Sequence, residues 1–468
     1  MINGMSRFVF YDFETTGTSV TYAQPLQFAA IVTDENFNVL DTVDWRCRIA
    51  PHILPAPYAL KVTNLAPEQV TNNNLQSAFE FAQSLHQFLE KWQPAIWLGY
   101  NTIKFDEPML RQLFYQNLQP NIYATSMNGN SRLDVMKIVW ATHNLRPGIL
   151  TFPENDQGKT SFKLDQLAPA NGFAHENAHD ALADVEATIF ILNKIKTADP
   201  DFFNDLVRTQ DKEYIGSLLR SFEPVQVTIR FGAPPPRTYF GCYCGTNSQN
   251  KNEIAFADFE AINAEALVGM SDSEILEAIT QSPKIIRPLR LNNAETIMML
   301  DSPTIEQRSF CEKISRSDYF VSRVSAILPQ RFEAVEDEGD VPVEEKIHGG
   351  FYSHYDQDVL AEFQSADWQR RKELVEQFED KRLVQLGRRL IVFYAPHLLS
   401  EAQKSAFKSF VKTKWASTDP DADWTTICAV QDDLNQMKTD ETVSQEYRDR
   451  LIHFYRNYLK GFGCELSL

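Results

Sequence analysis

The sequence predicts an α/β domain, followed by a β-rich segment and then a helical segment. Up to about Thr197, short apolar runs alternate with stretches of helical periodicity. Residues 225–231 alternate between apolar and polar side chains as a half-buried strand does, and the pattern is helical from Tyr355 onward. Because 468 residues exceed one ordinary hydrophobic core, we expect two or three domains.

The first apolar run, at residues 8–13, is rich in Phe and predicts a buried strand. Asp12 and Glu14 stand at its end, and alternate residues of a strand point to the same face. Both carboxylates therefore face one way, as a hard divalent cation such as Mg²⁺ requires of its oxygen ligands. An ordinary polar strand face is the alternative for this pair alone.

Strands and helices alternate through the rest of the first segment. Further strands are expected at residues 27–33, 39–49 and 95–100, with the first three strands forming an antiparallel meander. The Pro-rich residues 51–67 are expected to be irregular. Helical spacing of apolar residues predicts helices at 75–92, from Pro108 onward, and at 133–143, 161–170 and 181–195.

Three more polar residues stand beside these elements. Asp106 lies between the strand at 95–100 and the following helix, where an N-cap aspartate is the favoured interpretation of this residue alone. His179 and Asp184 lie about 140° apart on a continuous helix, so they face one site only if His179 precedes the helix. Asp180 is then the expected N-cap. A loop histidine without a role and a solvated helix acid are the alternatives.

The middle and last segments carry weaker patterns. Strands are expected at residues 225–231, 253–259 and 284–291, with a helix at 271–279. An acidic run at 333–345 contains Gly339 and Pro342 and predicts an exposed linker. Lys404, Lys408 and Lys412 recur every four residues and form one basic stripe. Such a stripe is commonly a solvated helix face, and contact with phosphate or an acidic peptide is the alternative.

The composition describes a protein of a reducing compartment. None of the six cysteines forms a C-x-x-C pair, which disfavours a structural zinc site. Cysteines scattered singly along a long chain fit a reducing cytoplasm better than a disulfide framework. No apolar run has the length of a signal peptide or a membrane span, so we expect a cytoplasmic protein without a membrane contact. The formal net charge of −18 argues against a protein that coats polyanions without specificity, because such binding needs many lysines and arginines. Any nucleic acid must therefore bind in a local basic groove.

Taken together and in chain order, Asp12, Glu14, Asp106, His179 and Asp184 resemble the motifs of a known family. Asp12-Phe13-Glu14-Thr15, the segment from Asn101 to Asp106, and His179 with Asp184 after four intervening residues are similar to the DEDDh family of 3′–5′ exonucleases. A tyrosine in place of His179 would have indicated the DEDDy branch. The resemblance implies a ribonuclease H-like domain, with a mixed sheet and flanking helices.

Several shorter segments resemble the bacterial exonuclease I branch of this family. They include Gly99-Tyr100-Asn101, Arg146-Pro147, Phe152-Pro153-Glu154-Asn155, Asn177-Ala178-His179-Asp180 and Gly350-Phe351-Tyr352-Ser353. This resemblance implies an exonuclease domain at 1–197, an SH3-like domain at 198–350 and a helical domain at 351–468. In that branch the three parts enclose a groove for single-stranded DNA.

The resemblance also implies a mechanism. Asp12, Glu14, Asp106 and Asp184 would hold two Mg²⁺ ions about 4 Å apart, with Mn²⁺ as a substitute, and His179 would act as general base. Glu14 would also contact the terminal 3′-hydroxyl. Lys163 stands where the branch usually has a phosphate-binding arginine, and Arg111 and Lys137 are further candidate strand contacts. For Arg111 and Lys137, the alternative is that they are charged residues on helix surfaces without a role in DNA binding.

The implied function is degradation of single-stranded DNA from its 3′ end to 5′-mononucleotides. The branch does this processively in DNA repair, recombination and mismatch repair, and we expect a bacterial, monomeric enzyme. It also binds the acidic C-terminal tail of the single-stranded DNA-binding protein, for which Arg146 is the matching residue and the Lys404 stripe a possible aid. The alternatives are a proofreading or RNA-trimming exonuclease and a protein that binds DNA ends without cleaving them.

Overall fold

The computed structural model describes residues 7–63, 65–174, 180–232, 234–331 and 341–467. The first segment is a five-stranded mixed sheet, as predicted, with the strand order β3–β2–β1–β4–β5. The antiparallel meander β1–β2–β3 is confirmed, and β4 and β5 are added parallel to β1. The strands are β1 (Phe8–Thr15), β2 (Pro25–Thr33), β3 (Val39–Arg46), β4 (Ile96–Gly99) and β5 (Ser131–Asp134).

Helices cover both faces of this sheet. They are α1 (Pro57–Val62), α2 (Ala78–Trp92), α3 (Asp106–Gln116), α4 (Val135–Leu145), α5 (Leu164–Ala170), α6 (Ala181–Ala198), α7 (Pro200–Arg208) and α8 (Lys212–Arg220). Phe8 and Phe10 of β1 pack with α4 and α6 on one face, and Val9 and Tyr11 pack with α2 and α3 on the other. Because alternate residues of a strand share a face, Asp12 and Glu14 lie on the same face of β1 as Phe8 and Phe10. The two acids therefore follow two core residues along that face.

Two predictions for this segment were wrong. The residues at 133–134 belong to β5, and the helix starts only at Val135, because Asp134 accepts a hydrogen bond from Met136 N–H and caps it. The expected irregular stretch at 51–67 contains the short helix α1, which starts at Pro57. Proline is favoured in the first turn of a helix, and Leu60 is fully buried there.

A second sheet forms the middle of the chain. It is antiparallel throughout, with the order β10–β6–β7–β8–β9. Its elements are β6 (Val225–Ile229), β7 (Arg237–Thr246), β8 (Glu253–Asp258), α9 (Ala264–Val268), α10 (Asp272–Thr280), β9 (Ile286–Arg290), β10 (Thr296–Met299), α11 (Ile305–Ser315) and α12 (Asp318–Ile327). That the β-rich part is SH3-like, and that it spans 198–350, stay predictions.

The three strands expected in this sheet are present, but the central strand β7 was missed. Its sequence contains Gly241 and Gly245, which are unfavourable in strands on propensity alone. A Cβ atom at Gly241 would lie 2.0 Å from the backbone oxygen of Ala257 on β8. Glycine is therefore needed for close strand pairing rather than for a turn.

The last segment is helical, as predicted, and its helices pack against the first segment. They are α13 (His354–Ser365), α14 (Trp368–Val375), α15 (Lys381–Tyr394), α16 (Glu401–Trp415), α17 (Ile427–Gln436) and α18 (Gln445–Lys460). Leu386 and Leu390 share a core with Phe79 and Tyr115, and Trp415 and Tyr455 share one with Leu60. Within the described ranges, no helix is both long and apolar enough to span a membrane.

The expected exposed linker at 333–345 lies partly outside the described residues, which resume at 341. Contrary to the prediction, Val343 and Glu344 near its end are buried, whereas Pro342 and Glu345 are exposed as expected. Glu344 is 3% exposed and accepts a hydrogen bond of 3.0 Å from Arg389, with Lys414 at 3.4 Å. Glu344, near the end of the acidic run, is therefore a buried ion-pair partner of the helical segment.

Candidate active site

Three of the predicted acids converge at the end of β1. Each of Asp12, Glu14 and Asp184 offers a carboxylate oxygen that lies within 4.8 Å of the other two. Asp12 and Glu14 share the face of β1 that α6 covers, and Asp184 lies in the first turn of that helix. The two elements thus bring together residues that are far apart along the chain.

The start of α6 sets the position of Asp184. The Asp180 side chain accepts a hydrogen bond of 3.2 Å from Leu182 N–H, which confirms Asp180 as the N-cap. The backbone N–H of Asp184 donates to the backbone oxygen of Asp180 at 3.0 Å. Asp184 therefore stands one turn into the helix, near the positive end of the helix dipole. His179 lies outside the described residues.

Asp106 lies beside this trio and is not an N-cap, contrary to the favoured interpretation of the residue alone. The helix α3 begins at Asp106 itself, and Phe105 occupies the cap position without a side-chain hydrogen bond. The Oδ1 atom of Asp106 accepts a hydrogen bond of 3.1 Å from the backbone N–H of Phe13. The strand β4 is paired with β1 and ends at Gly99, and the segment that follows it brings the Asp106 carboxylate against β1.

A tight turn between β4 and α3 makes this approach possible. A Cβ atom at Gly99 would lie 2.4 Å from the backbone oxygen of Tyr11, and Asn101 has a φ of 66°, a left-handed conformation that asparagine tolerates. Asp134 accepts hydrogen bonds from the backbone N–H groups of Asn101 at 3.0 Å and Ile103 at 3.3 Å. Asp134 was not predicted as part of the site, although an aspartate just before a helical pattern is a recognisable cap signal.

Burial and neighbouring acids raise the pKa values of Asp12, Glu14 and Asp106. Burial, followed by Asp106, Glu14 and Asp184, raises the pKa of Asp12 well above its usual value. Burial and then Asp184 and Asp106 raise the pKa of Glu14 to about 9. Burial raises the pKa of Asp106 to about 8, although the Phe13 N–H opposes this shift. A cluster of this kind retains protons until a cation replaces them, so the donor set fits a divalent metal ion.

A buried ion-pair network lies directly behind Asp106. Glu107 is 1% exposed and accepts hydrogen bonds from Arg111 at 2.8 Å, Arg132 at 3.0 Å and Tyr11 Oη at 3.1 Å. Although burial raises the pKa of Glu107, Arg132 and Arg111 outweigh it and lower the pKa. Arg111, a candidate strand contact, is therefore engaged with Glu107. This network could not be predicted from sequence patterns, because its members are spread over β1, α3 and β5.

The other residues predicted to contact DNA or a partner differ in whether their side chains are exposed or already paired. Lys163 is exposed at the residue before α5. Lys137 donates to Glu295 Oε1 at 2.9 Å and to the Asn293 backbone oxygen at 2.6 Å, and so ties α4 to the second sheet. Arg146 donates to Asp199 at 2.9 Å and to Asp301 at 3.3 Å. Of the basic stripe, Lys404 pairs with Glu401, whereas Lys408 and Lys412 are exposed.

Comparison with known families agrees with this site. The family described as "Exonuclease" matches residues 9–192, which include the four acids, and "Exonuclease I C-terminal domain" matches residues 341–462. In both of these regions the chain is similar to the exodeoxyribonuclease I family. Exodeoxyribonuclease I of Escherichia coli is 35% identical over 257 residues, a stretch that spans 54% of either protein. The Haemophilus influenzae exodeoxyribonuclease I is 28% identical over 452 residues, or 88% of this chain and 91% of the relative.

Solved structures of the exodeoxyribonuclease I family share the fold along the whole chain. The crystal structure of E. coli exonuclease I in complex with a dA16 oligonucleotide has a TM-score of 0.80 and 24% sequence identity. The similarity covers 98% of this chain and 100% of that one. The α/β sheet, the middle sheet and the helical segment are therefore arranged as in that exonuclease.

Proposed function

We propose that this protein is a divalent-metal-dependent exodeoxyribonuclease that removes nucleotides from the 3′ end of single-stranded DNA. The observation that carries the proposal is the convergence of Asp12, Glu14 and Asp184, with Asp106 held beside them. Mg²⁺ is the expected metal, because all four candidate ligands are carboxylates. The oligonucleotide in the E. coli relative's structure supports DNA as the ligand.

The four carboxylates would hold the metal ions, and the remaining residues would handle the substrate. Bound in a pair, such ions activate a water molecule and stabilise the leaving oxygen of a phosphodiester. His179, one residue before the N-cap of α6, would take the proton of the attacking water. Glu14 would also accept a hydrogen bond from the terminal 3′-hydroxyl, and the exposed Lys163 would contact a phosphate near the scissile bond.

Single-strand binding is supported by an exposed aromatic residue. Phe351 is 96% exposed, and bases stack on such rings without sequence preference. Three residues before Phe351 along the chain, His348 Nδ1 lies 3.2 Å from Tyr123 Oη, and Arg111 lies over the Tyr123 ring at 4.9 Å. Replacement of Phe351 by alanine is expected to weaken binding of single-stranded DNA and leave the free protein's stability unchanged.

One assay tests the reaction and its direction. Single-stranded DNA labelled at its 3′ or its 5′ end is incubated with Mg²⁺ or with EDTA, and early products are separated. We expect the 3′ label to leave at once as a mononucleotide only with Mg²⁺, while the 5′ label shortens gradually. Equal degradation of a matched RNA would favour an RNA-trimming enzyme. A preparation that binds the 3′ end without releasing nucleotide under any metal would favour an end-binding protein.

The cellular setting is proposed from the same resemblance. The described cysteines are all free, which fits the reducing cytoplasm of a bacterium. One similar solved structure, 24% identical to this chain, is of SSB/Exonuclease I, and we propose that this chain also binds the acidic tail of its single-stranded DNA-binding protein. Arg146 is the candidate residue, although such a tail would have to displace Asp301, whose side chain is 63% exposed.

A further inference from the structure

A row of three polar residues crosses the sheet beside the acid cluster. Glu14 on β1 lies opposite Gln27 on β2, and Gln27 lies opposite Arg46 on β3. Directly opposed residues of antiparallel strands point to the same face, so all three side chains meet α6. The row therefore runs from the acid cluster to a cation at the edge of the sheet.

The N-cap of α6 is bound to the far end of this row. Asp180 Oδ2 accepts hydrogen bonds from Gln27 Nε2 at 3.3 Å and from Arg46 Nη2 at 3.2 Å. The other carboxylate oxygen of Asp180 accepts from Leu182 N–H and begins the helix. Asp180 is thus fixed from two directions, by the sheet and by its own helix.

Gln27 is a buried polar residue, and the hydrogen bonds of its side-chain amide explain its position. It is 1% exposed, and its Nε2 atom also donates to Asp44 Oδ1 at 2.8 Å. Its Oε1 atom is buried and, among the described residues, has no hydrogen-bond partner. An unsatisfied buried oxygen is costly, but the opposite amide orientation would place that oxygen against two carboxylates. The side chain therefore serves as a donor to Asp180 and Asp44.

We propose that Gln27 and Arg46 are positioning residues that hold the first turn of α6 against the sheet, so that Asp184 meets Asp12 and Glu14. Asp184 follows Asp180 by one helical turn, and its N–H donates to the Asp180 backbone oxygen. Movement of Asp180 away from β2 and β3 would therefore carry the Asp184 carboxylate away from the trio. The inference rests on the proposed function, because it concerns the same metal ligands.

The test uses Gln27→Met and Arg46→Met, each of which removes donors to Asp180. We expect Mg²⁺ binding, measured by calorimetry on the full chain without DNA, to weaken roughly tenfold in each variant, as is usual when a supporting hydrogen bond to a metal site is lost. Arg46→Met separates two explanations. Loss of a nearby positive charge alone would strengthen Mg²⁺ binding, whereas displacement of Asp184 would weaken it. Unchanged or tighter binding by Arg46→Met would overturn the proposal.

Two controls make the outcome specific. Arg388→Met removes an exposed ion pair with Glu376 far along the chain, and it should leave Mg²⁺ binding unchanged. Arg46→Lys keeps a donor for Asp180 and should restore most of the affinity that Arg46→Met loses. Thermal melting in EDTA shows that each variant is folded, and the partly exposed Arg46 provides a folded variant if Gln27→Met unfolds. If the unaltered protein releases no nucleotide with any metal, the proposed function fails; if it does and the variants bind Mg²⁺ normally, only the inference fails.

Discussion

Asp106 is bound to the backbone of the strand that carries the other candidate ligands, through a hydrogen bond of 3.1 Å from Phe13 N–H to its Oδ1 atom. Phe13 separates Asp12 from Glu14, so one backbone donor fixes the fourth acid relative to the first two. The site therefore depends on strand pairing as much as on its acidic side chains.

We expect Asp184→Ala to stop nucleotide release while the variant still binds a 3′ end. The substitution removes one of three converging carboxylates and leaves the buried face of α6 intact. Product release from end-labelled DNA measures the first effect, and fluorescence anisotropy measures the second. Glu186→Ala, an exposed acid on the same helix, is the matched control and should remain active. Normal release by Asp184→Ala would contradict the proposed metal-dependent mechanism.

Glu14→Gln is expected to stabilise the metal-free protein at about pH 8 while it abolishes activity. The pKa of Glu14 is raised from its usual 4.5 to about 9, chiefly by burial and then by Asp184 and Asp106. The folded state therefore holds a proton that the unfolded state has lost, and its stability falls as the pH rises between these values. Removing the carboxylate should raise the melting temperature in EDTA by about 2–4 °C.

Melting curves in EDTA across this pH range provide the check for Glu14→Gln. The gap between the variant and the unaltered protein should be small near the usual pKa of 4.5 and widen toward higher pH. With saturating Mg²⁺ the order should reverse, because the metal stabilises only the protein that binds it. A gap that narrows as the pH rises would contradict the raised pKa.

His179→Ala is expected to lower the rate of nucleotide release by roughly 10²- to 10⁴-fold, the usual contribution of a general base. Because imidazole titrates near neutral pH, the variant should also lose the acidic limb of the pH–rate profile. Single-turnover kinetics on single-stranded DNA measure both effects. His175→Ala provides a matched control from the same segment. Full activity of His179→Ala would show that this histidine has no catalytic role.

Breaking the network behind Asp106 is expected to destabilise the fold. Arg132→Met leaves Glu107, which is 1% exposed, with only Arg111 as a cationic partner, and should cost about 3 kcal/mol of unfolding free energy. Urea denaturation of the metal-free protein measures the change. The double variant Glu107→Gln with Arg132→Met should regain part of the loss, because residue 107 then carries no buried charge and Arg111, whose side chain is 19% exposed, is the cation that loses its ion pair. A loss equal to the sum of the single variants would contradict a coupled network.

Binding of an acidic peptide at Arg146 should respond in opposite directions to two substitutions. Arg146→Ala should weaken binding of an acidic, tail-like peptide roughly tenfold, as expected for a charge-assisted contact. Asp301→Asn should strengthen it, because it releases one of the two acids that hold Arg146. Anisotropy with a labelled peptide measures both. Lys408→Ala tests the basic stripe, and weakening by that variant alone would move the docking site to α16.

Much of the fold could be predicted because its core elements have clear periods. The meander β1–β2–β3 and the helix α6 appear in the sequence as apolar runs and helical spacing. The strand β7 was missed because glycine has a low strand propensity. Gly241 is required there by the close approach of Ala257 on β8, a contact that local propensity does not reflect. The helix α1 was missed for a similar reason, because packing against α17 compensates for a Pro-rich sequence.

The sequence by itself determined which acids are candidates for one site. Asp12 and Glu14 alternate on one strand face, and the chain order of Asp12, Glu14, Asp106 and Asp184 resembles that of a known exonuclease family. Only the tertiary structure decided how these acids meet and what holds them. The hydrogen bond from Phe13 to Asp106, the network at Glu107 and the row from Glu14 through Gln27 to Arg46 all join separate elements. Side-chain periodicity describes one element at a time, whereas these contacts arise from the pairing of strands and the packing of α6 on the sheet.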